Sequence, residues 1–210
     1  MGTLAGKRIL VTGGAGFIGP HLISRLLKEG VSVHLFLRNS TNCGRLESIL
    51  NLVTVHNVDL NDHELVEEVL EKIKPNGIFH LAAVNQHFGY IPSVDDLVQT
   101  NIVSTVKFMD ACSQYKYDFF INTGTTVEVG SKDHPVTEED LLEPKEFYGI
   151  SRIPAVLYGQ VLGREHGKPV VTIRVASPYG PLTQKEKLTY EIITKALQGA
   201  DIVLTRPTVT

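Results

Sequence analysis

Four glycines crowd into seven positions near the start of this 210-residue chain: Gly13, Gly14, Gly16 and Gly19, in the run Lys7-Arg-Ile-Leu-Val-Thr-Gly-Gly-Ala-Gly-Phe-Ile-Gly19. A short apolar, β-prone stretch (Ile9, Leu10, Val11) runs into them, and a helix-forming stretch leaves them. A strand, a tight turn and a helix N-terminus in that order make an anion site, because backbone N–H groups and the helix macrodipole converge on one point. The anion such a turn suits is a dinucleotide pyrophosphate. Each glycine has an expected task. Gly13 and Gly14 turn the chain off the strand. Gly16 leaves the backbone N–H groups open to phosphate, with Phe17 and Ile18 beside it, and Gly19 lets the helix lie close against the sheet.

The end of the second strand, Leu35-Phe-Leu-Arg38-Asn-Ser-Thr41, bears on which dinucleotide. A site selective for NAD places Asp or Glu there to bind the ribose 2′-hydroxyl. Leu37 holds that place, and no acidic residue follows until Glu47. Arg38 offers a guanidinium to a 2′-phosphate, helped by Ser40 or Arg45. The expected cofactor is therefore NADP or NAD, with a lean to NADP; stacking of Arg38 on adenine is the alternative.

These residues need a scaffold to hold them. Apolar runs at 8–11, 32–37, 52–56, 77–81, 119–122 and 170–175 read as strands, near-continuous in hydrophobicity as strands buried on both faces are. Helical stretches lie at 18–29, 62–73, 94–113 and 147–166. Asn61 with Glu64 reads as a capping box, Pro75 as a helix stop and Gly30 as a C-terminal glycine. The alternation implies an α/β fold, a doubly wound parallel sheet of Rossmann type, with ligands beyond the carboxyl ends of the strands.

Composition narrows the partners. Hydrophobic residues make up 42% and charged residues 20%, values of an ordinary globular chain. The formal net charge is −3 and the basic residues are scattered, so neither a nucleic-acid surface nor a polybasic membrane patch is expected. No apolar run approaches the ~18 residues of a membrane span, and a signal-peptide layout is not seen. Cys43 and Cys112 lack paired or metal-like spacing and read as free thiols in a cytoplasmic setting. Asp133, His134, Asp140 and Glu143 read as a solvated loop, and no metal site is expected.

Further stretches, taken in order, carry a family resemblance: Thr12-Gly-Gly-Ala-Gly-Phe-Ile-Gly19, Val58-Asp-Leu60, Phe79-His-Leu-Ala-Ala83, Asn101, Thr123-Gly-Thr-Thr-Val-Glu-Val-Gly130, Tyr148-Gly-Ile-Ser-Arg152 and Arg174-Val-Ala-Ser-Pro-Tyr-Gly-Pro181. The chain resembles the extended short-chain dehydrogenases/reductases, in particular the NAD-dependent epimerase/dehydratase family that modifies nucleotide sugars. Glycines at 13, 16 and 19 are the spacing variant of that group. The resemblance implies that Asp59 touches the adenine amino group while Leu60 packs on the ring, capping being the plainer reading of Asp59. It implies that Leu81, Ala82 and Ala83 bring backbone up to the cofactor. Thr123 supports the site, Ser177 with Pro178 and Tyr179 covers the nicotinamide carboxamide, and Asn101 shapes the helix beside the cofactor. Asn85 and Gln86 line the reacting sugar. His80 reads as a core histidine and not a catalyst.

Tyr148 is the implied acid/base, giving or taking a proton while a hydride moves between a sugar carbon and nicotinamide C4. A phenol with a pKa near ~10 is a poor base at neutral pH, and a cation one helical turn away favours the phenolate. The family carries Lys at that turn; this chain carries Arg152. Arg152 is expected to hold ribose hydroxyls and depress the Tyr148 pKa, but a guanidinium cannot relay a proton. Thr125 is the implied hydrogen-bond partner of the reacting hydroxyl. Thr126 stands where dehydratase relatives carry an acid, which argues against water elimination, and Glu128-Val129 stands in place of Val-Tyr.

The implied protein is an NAD(P)-dependent oxidoreductase or epimerase acting on a nucleotide sugar, a homodimer through helices 94–113 and 147–166 with Val156 and Val161 on an outer face. Two alternatives stay open: a non-catalytic cofactor-binding relative, a sensor or scaffold that Arg152 would mark, and a reductase of a non-sugar carbonyl. Residues 1–180 are expected to form the dinucleotide domain. Residues 181–210 are expected to open a substrate lobe that relatives continue.

Overall fold

Six strands line up in one parallel sheet: β1 (Arg8–Thr12), β2 (Ser32–Leu37), β3 (Thr54–Asn57), β4 (Gly77–His80), β5 (Phe119–Thr125) and β6 (Val170–Val175), in the order β3-β2-β1-β4-β5-β6. This is a computed structural model, and it describes residues 4–86 and 90–202. The chain winds outward from β1 to β3, then returns to place β4 on the other side of β1. The reversal opens a crevice between the carboxyl ends of β1 and β4, where doubly wound sheets bind ligands. Gly13 leaves one of those ends and Leu81 the other.

Alternation along the strands divides the core between the two faces. Ile9 and Val11 point with Val33 and Leu35 into the layer of α1 (Gly19–Lys28), through Ile23 and Leu26. Leu10, Phe36, Ile78 and Phe120 point the other way. They meet α2 (His63–Ile73), α3 (a helical stretch over 94–113) and α4 (Phe147–His166) through Leu70, Phe108 and Ala155.

The predicted elements are present, with instructive shifts. Strand β5 runs on through Asn122-Thr-Gly-Thr125, beyond its apolar run, because β6 supplies a ladder partner as far as Thr125↔Val175. Strand β3 starts later than expected, since Leu50–Leu52 is wound as a 3₁₀ turn. The N-cap of α2 is Asp62, which accepts from Leu65 N–H at 3.1 Å; Asn61 does not cap, because its amide is bonded to Asp59. Within α3, Val94–Asp96 and Thr105–Ser113 are α-helical, but Leu97–Ser104 is a π-helix. The Ser104 and Thr105 hydroxyls reach the carbonyls of Gln99 and Thr100, five residues back. A helix absent from the sequence reading, α5, covers Leu188–Gln198. Val156 is 5% exposed and belongs to the core, unlike Val161.

The chain divides into two compact units, and the break falls between Ala176 and Ser177, a few residues before the expected boundary. Among the described residues no helix is long and apolar enough to cross a membrane, and no three His, Cys, Asp or Glu side chains are grouped to hold a metal. Cys43 and Cys112 are free thiols.

Candidate functional site

The glycine turn lies where the two inner strands end. Gly13 has φ 67°, and a Cβ there would stand 2.5 Å from Ala82 N. Glycine is therefore required twice, for its left-handed backbone and for the approach of the β4 exit. That exit is tied down: Leu81 N–H donates to Thr12 O at 3.1 Å and Ala82 N–H to Thr12 Oγ1 at 3.4 Å. A Cβ on Gly16 would meet only Gly13 O, at 3.1 Å, so the outer side of the turn is open as expected. The tasks of Gly14 and Gly19 differ from expectation. A Cβ on Gly14 would be 2.3 Å from Leu35 Cδ1, so this glycine lets the turn sit down on β2. A Cβ on Gly19 would be 2.0 Å from Gly14 O, so its close approach is to the turn itself and not to the sheet at large. The first turn of α1 carries no acidic residue and no side-chain cap, with Ile18 at the N-cap, so no protein carboxylate competes for an anion there. The Phe17 ring stands edge-on to His21, 5.8 Å between centroids.

His80 underlies this junction. It is fully buried, with Nδ1 2.7 Å from Thr12 Oγ1 and Nε2 3.2 Å from Thr105 Oγ1. Thr105 spends its own hydrogen on Thr100 O at 3.1 Å, so Nε2 must be the donor and Nδ1 the acceptor. One directed chain results: Ala82 N–H to Thr12 O–H to His80, and on to Thr105 O–H and the Thr100 carbonyl. Every member is satisfied with His80 neutral. Burial, seconded by the Arg152 charge, pushes its pKa down to about 3. It is a core histidine, as expected.

Asn101, expected to shape the helix beside the cofactor, does so as a positioning residue. It is fully buried, and its amide is spent on protein: Nδ2 donates to Val84 O at 2.8 Å and to Ser151 Oγ at 2.9 Å, and Oδ1 accepts from Val84 N–H at 2.8 Å. Ser151 Oγ in turn donates to Tyr148 O at 2.8 Å. The π-helical segment thus joins the loop after β4 to the first turn of α4.

That turn carries Tyr148, half-buried, and the next carries Arg152, 1% exposed. Arg152 Nη2 donates to the Thr123 carbonyl at the end of β5. Its Nε and Nη1 are buried without a hydrogen-bond partner. Two stranded charged donors beside a phenol fit a ligand rich in acceptor oxygens, such as the ribose of a dinucleotide. The expected fall of the Tyr148 pKa is not what the surroundings produce. Burial raises it; Arg152 pulls it down, Glu128 and Glu146 push it up, and the net direction is upward. Arg152 acts in the expected sense, but desolvation of the phenolate outweighs it.

Thr125, buried at the end of β5, caps the 3₁₀ turn Thr126–Glu128. Its Oγ1 accepts from Val127 N–H at 3.3 Å and its N–H donates to Glu128 Oε1 at 2.9 Å. Glu128 is fully buried; the sequence marked it only as a departure from the family's Val-Tyr and gave it no role, although an acid inside an otherwise apolar Val-Glu-Val run was a signal. Thr126 opens the same turn and is half-buried.

The remaining predicted residues lie around these. Asp59 Oδ1 accepts from both Asn61 N–H and Asn61 Nδ2 at 2.9 Å, which makes a turn and not the cap of its plainer reading, since Asp62 caps α2; Leu60 is half-buried against the core. Arg38, Ala83, Asn85 and Gln86 are exposed, and Leu81 and Ala82 are half-buried. Ser177 opens the second unit with φ 36°. His134 bridges Asp133 and Asp140 at 2.9 and 2.8 Å on the exposed loop.

Known proteins supply the context. The sequence profile of the NAD dependent epimerase/dehydratase family matches residues 9–207. The dTDP-glucose 4,6-dehydratase of Neisseria meningitidis serogroup B is 28% identical over 210 residues, covering 92% of this chain and 59% of that protein. A probable dTDP-glucose 4,6-dehydratase of Sinorhizobium fredii is 31% identical over 206 residues, covering 90% of this chain and 59% of that one. The crystal structure of UDP-glucuronic acid 4-epimerase from Bacillus cereus in complex with NAD matches with a TM-score of 0.75 at 27% identity, over 92% of this chain and 64% of that one. The dTDP-glucose 4,6-dehydratase from Bacillus anthracis in complex with NAD matches with a TM-score of 0.77 at 28% identity, over 92% of this chain and 62% of that one. This chain spans less than two thirds of the length of these relatives. Both solved relatives hold NAD, and the lean to NADP finds no support in them.

Proposed function

The chain belongs to the NAD-dependent epimerase/dehydratase family, and from that premise we propose that it binds NAD and carries out hydride transfer at a hydroxyl-bearing or keto carbon of a nucleotide sugar. The observation that carries this reading is the buried guanidinium of Arg152, with Nε and Nη1 lacking a protein partner one helical turn from Tyr148. Bound NAD supplies the hydride acceptor. The chain's own residues do the rest. The turn Gly13–Gly19 seats the pyrophosphate on backbone N–H groups, with Asp59 and Leu60 toward the adenine end. Arg152 holds ribose hydroxyls through its two unspent donors. The Tyr148 phenol moves the proton at the reacting oxygen. Thr125 Oγ1 accepts from Val127 N–H, which leaves its hydrogen to donate to that same oxygen. Thr126 offers a hydroxyl in place of an acid, favouring oxidation, reduction or epimerisation over loss of water. Asn85 and Gln86 line the sugar, and the second unit from Ser177 begins the substrate lobe of a cytoplasmic enzyme. The exposed residues Phe147, Ile150, Leu157 and Val161 recur along one side of α4 and suit a homodimer contact.

The test uses the full-length protein with NADH and 4-keto UDP- and dTDP-sugars. Tyr148→Phe is expected to cut turnover by ~10²–10⁴-fold while NADH affinity, read by cofactor fluorescence, stays nearly unchanged. Turnover that survives in Tyr148→Phe removes the assignment. A second reading rests on the same guanidinium, which cannot shed a proton: a protein that binds NADH without turnover, and gains turnover as Arg152→Lys, is a non-catalytic relative.

A further inference from the structure

Three side chains within five residues of α3, in and beside its π-helical segment, reach three separate parts of the crevice. Asn101 holds the loop after β4 at Val84. Thr105 accepts from His80 Nε2 at 3.2 Å, beneath the junction of β1 and β4. Ser104 turns instead to the exit of β3, where its hydroxyl donates to Asn61 Oδ1 at 2.7 Å. Ser104 is fully buried, and its one hydrogen is shared between Asn61 Oδ1 and Gln99 O, both at 2.7 Å. Asn61 passes the constraint on. With Oδ1 turned to Ser104, its Nδ2 faces Asp59 and donates to Oδ1 at 2.9 Å, and the Asn61 N–H donates to the same oxygen at 2.9 Å. One oxygen of the Asp59 carboxylate is thereby pinned, and Oδ2 is left to accept from a ligand. Asp59 follows the carboxyl end of β3, and the residue before it, Val58, donates its N–H to Leu37 O at the end of β2 at 2.9 Å. The carboxylate thus lies on the ligand-binding edge of the sheet, two strands out from Gly13. There it accepts from an amino group and repels a carbonyl oxygen.

We propose that Ser104 determines which base the dinucleotide site takes: through Asn61 it fixes the Asp59 carboxylate to accept from the 6-amino group of adenine, and so discriminates against a 6-oxo purine. The inference deepens the proposed function and rests on its placing of Asp59 toward the adenine end. Ser104 touches no ligand; it is a positioning residue that acts through two side chains. The same stretch of helix fixes the acid/base helix α4 through Asn101 and Ser151, so both ends of the cofactor site are anchored to one π-wound segment.

The test measures the binding of NADH and of its hypoxanthine analogue, deamino-NADH, to the full-length protein by cofactor fluorescence. The wild type is expected to favour NADH by ~10-fold, the size of one hydrogen bond to a charged group. Ser104→Ala is expected to lose most of that preference through weaker NADH binding, with deamino-NADH affinity unchanged. Asn61→Ala, at an exposed position, is expected to do the same, and the double variant to lose no more than Asn61→Ala alone. A preference retained in Ser104→Ala overturns the proposal. An equal loss of affinity for both dinucleotides overturns it too, being the mark of a serine that only supports the fold. Losses that add in the double variant overturn the route through Asn61. If Ser104→Ala does not fold, Asn61→Ala decides: a lost preference supports the proposal and a retained one overturns it. A wild type that binds both dinucleotides equally overturns the proposal and leaves cofactor binding standing, whereas one that binds neither overturns the proposed function with it.

Discussion

Asn101 holds both backbone polar groups of Val84, donating from Nδ2 to the carbonyl and accepting at Oδ1 from the N–H, each at 2.8 Å. A side-chain amide here takes the place of a missing strand partner for the loop that leaves β4. The second Nδ2 hydrogen passes the constraint on to Ser151 and the first turn of α4. Replacing Asn101 by Ala strands two part-buried backbone groups. The expected loss is about 2–4 kcal/mol of stability, from unsatisfied groups at ~1–3 kcal/mol each, measured as the shift of the urea midpoint. Cofactor affinity should fall with it, since the 81–86 loop then loses its tie to the π-helical segment and to Ser151. A variant as stable as the wild type would show that Val84 needs no clamp.

Gly13→Ala is the second expectation. The new methyl group would meet Ala82 backbone while the residue is held at φ 67°. Left-handed strain and overpacking together should cost about 2–4 kcal/mol. Calorimetry should find no dinucleotide binding in the folded fraction. Unchanged thermal stability would mean that the β1 and β4 exits can part without penalty.

A third expectation concerns acid. His80 titrates near 6.5 in the unfolded chain and at about 3 in the folded one. Between those values the unfolded state binds the extra proton, so stability rises with pH across the window and is lost as pH falls from 6.5 toward 3. His34 and His56, hydrogen-bonded to each other at 3.0 Å across β2 and β3, are shifted down chiefly by burial and add in the same direction. In His80→Gln, the urea midpoint should depend less steeply on pH between 6.5 and about 4 than in the wild type. Equal slopes would place the acid sensitivity elsewhere.

The outer side of α4 yields a fourth. Leu157 is 49% exposed and stands with Ile150 and Val161 on the helix surface. Leu157→Glu should turn a dimer into a monomer in sedimentation, with the folded monomer losing little stability because the site is not core. A wild type that sediments as a monomer leaves this surface without the proposed contact.

Much of the fold was legible from local patterns. Apolar runs marked the four inner strands because a strand covered on both faces must be apolar throughout, whereas the edge strands β3 and β6 carry apolar residues that stay exposed or half-buried. The turn at Gly13 was legible because only glycine accepts its backbone geometry, a restriction that acts within a residue and its neighbours. Asn101 was visible through the family resemblance, but its partners were not, since Val84 and Ser151 reach it only when the sheet and two helices are assembled. The π-winding of Leu97–Ser104 is likewise invisible to periodicity, because it depends on what the widened turn grips.

Sequence alone thus determined the sheet, its crossover helices and the glycine turn, all set by periodicity and by backbone sterics. Tertiary structure alone decided the electrostatics. Whether Tyr148 is pushed toward phenol or phenolate depends on Arg152 from α4, Glu128 from the turn after β5, Glu146 before the helix and the depth at which they lie. Charge acts through space and desolvation follows burial, and neither is written in the spacing of residues along the chain.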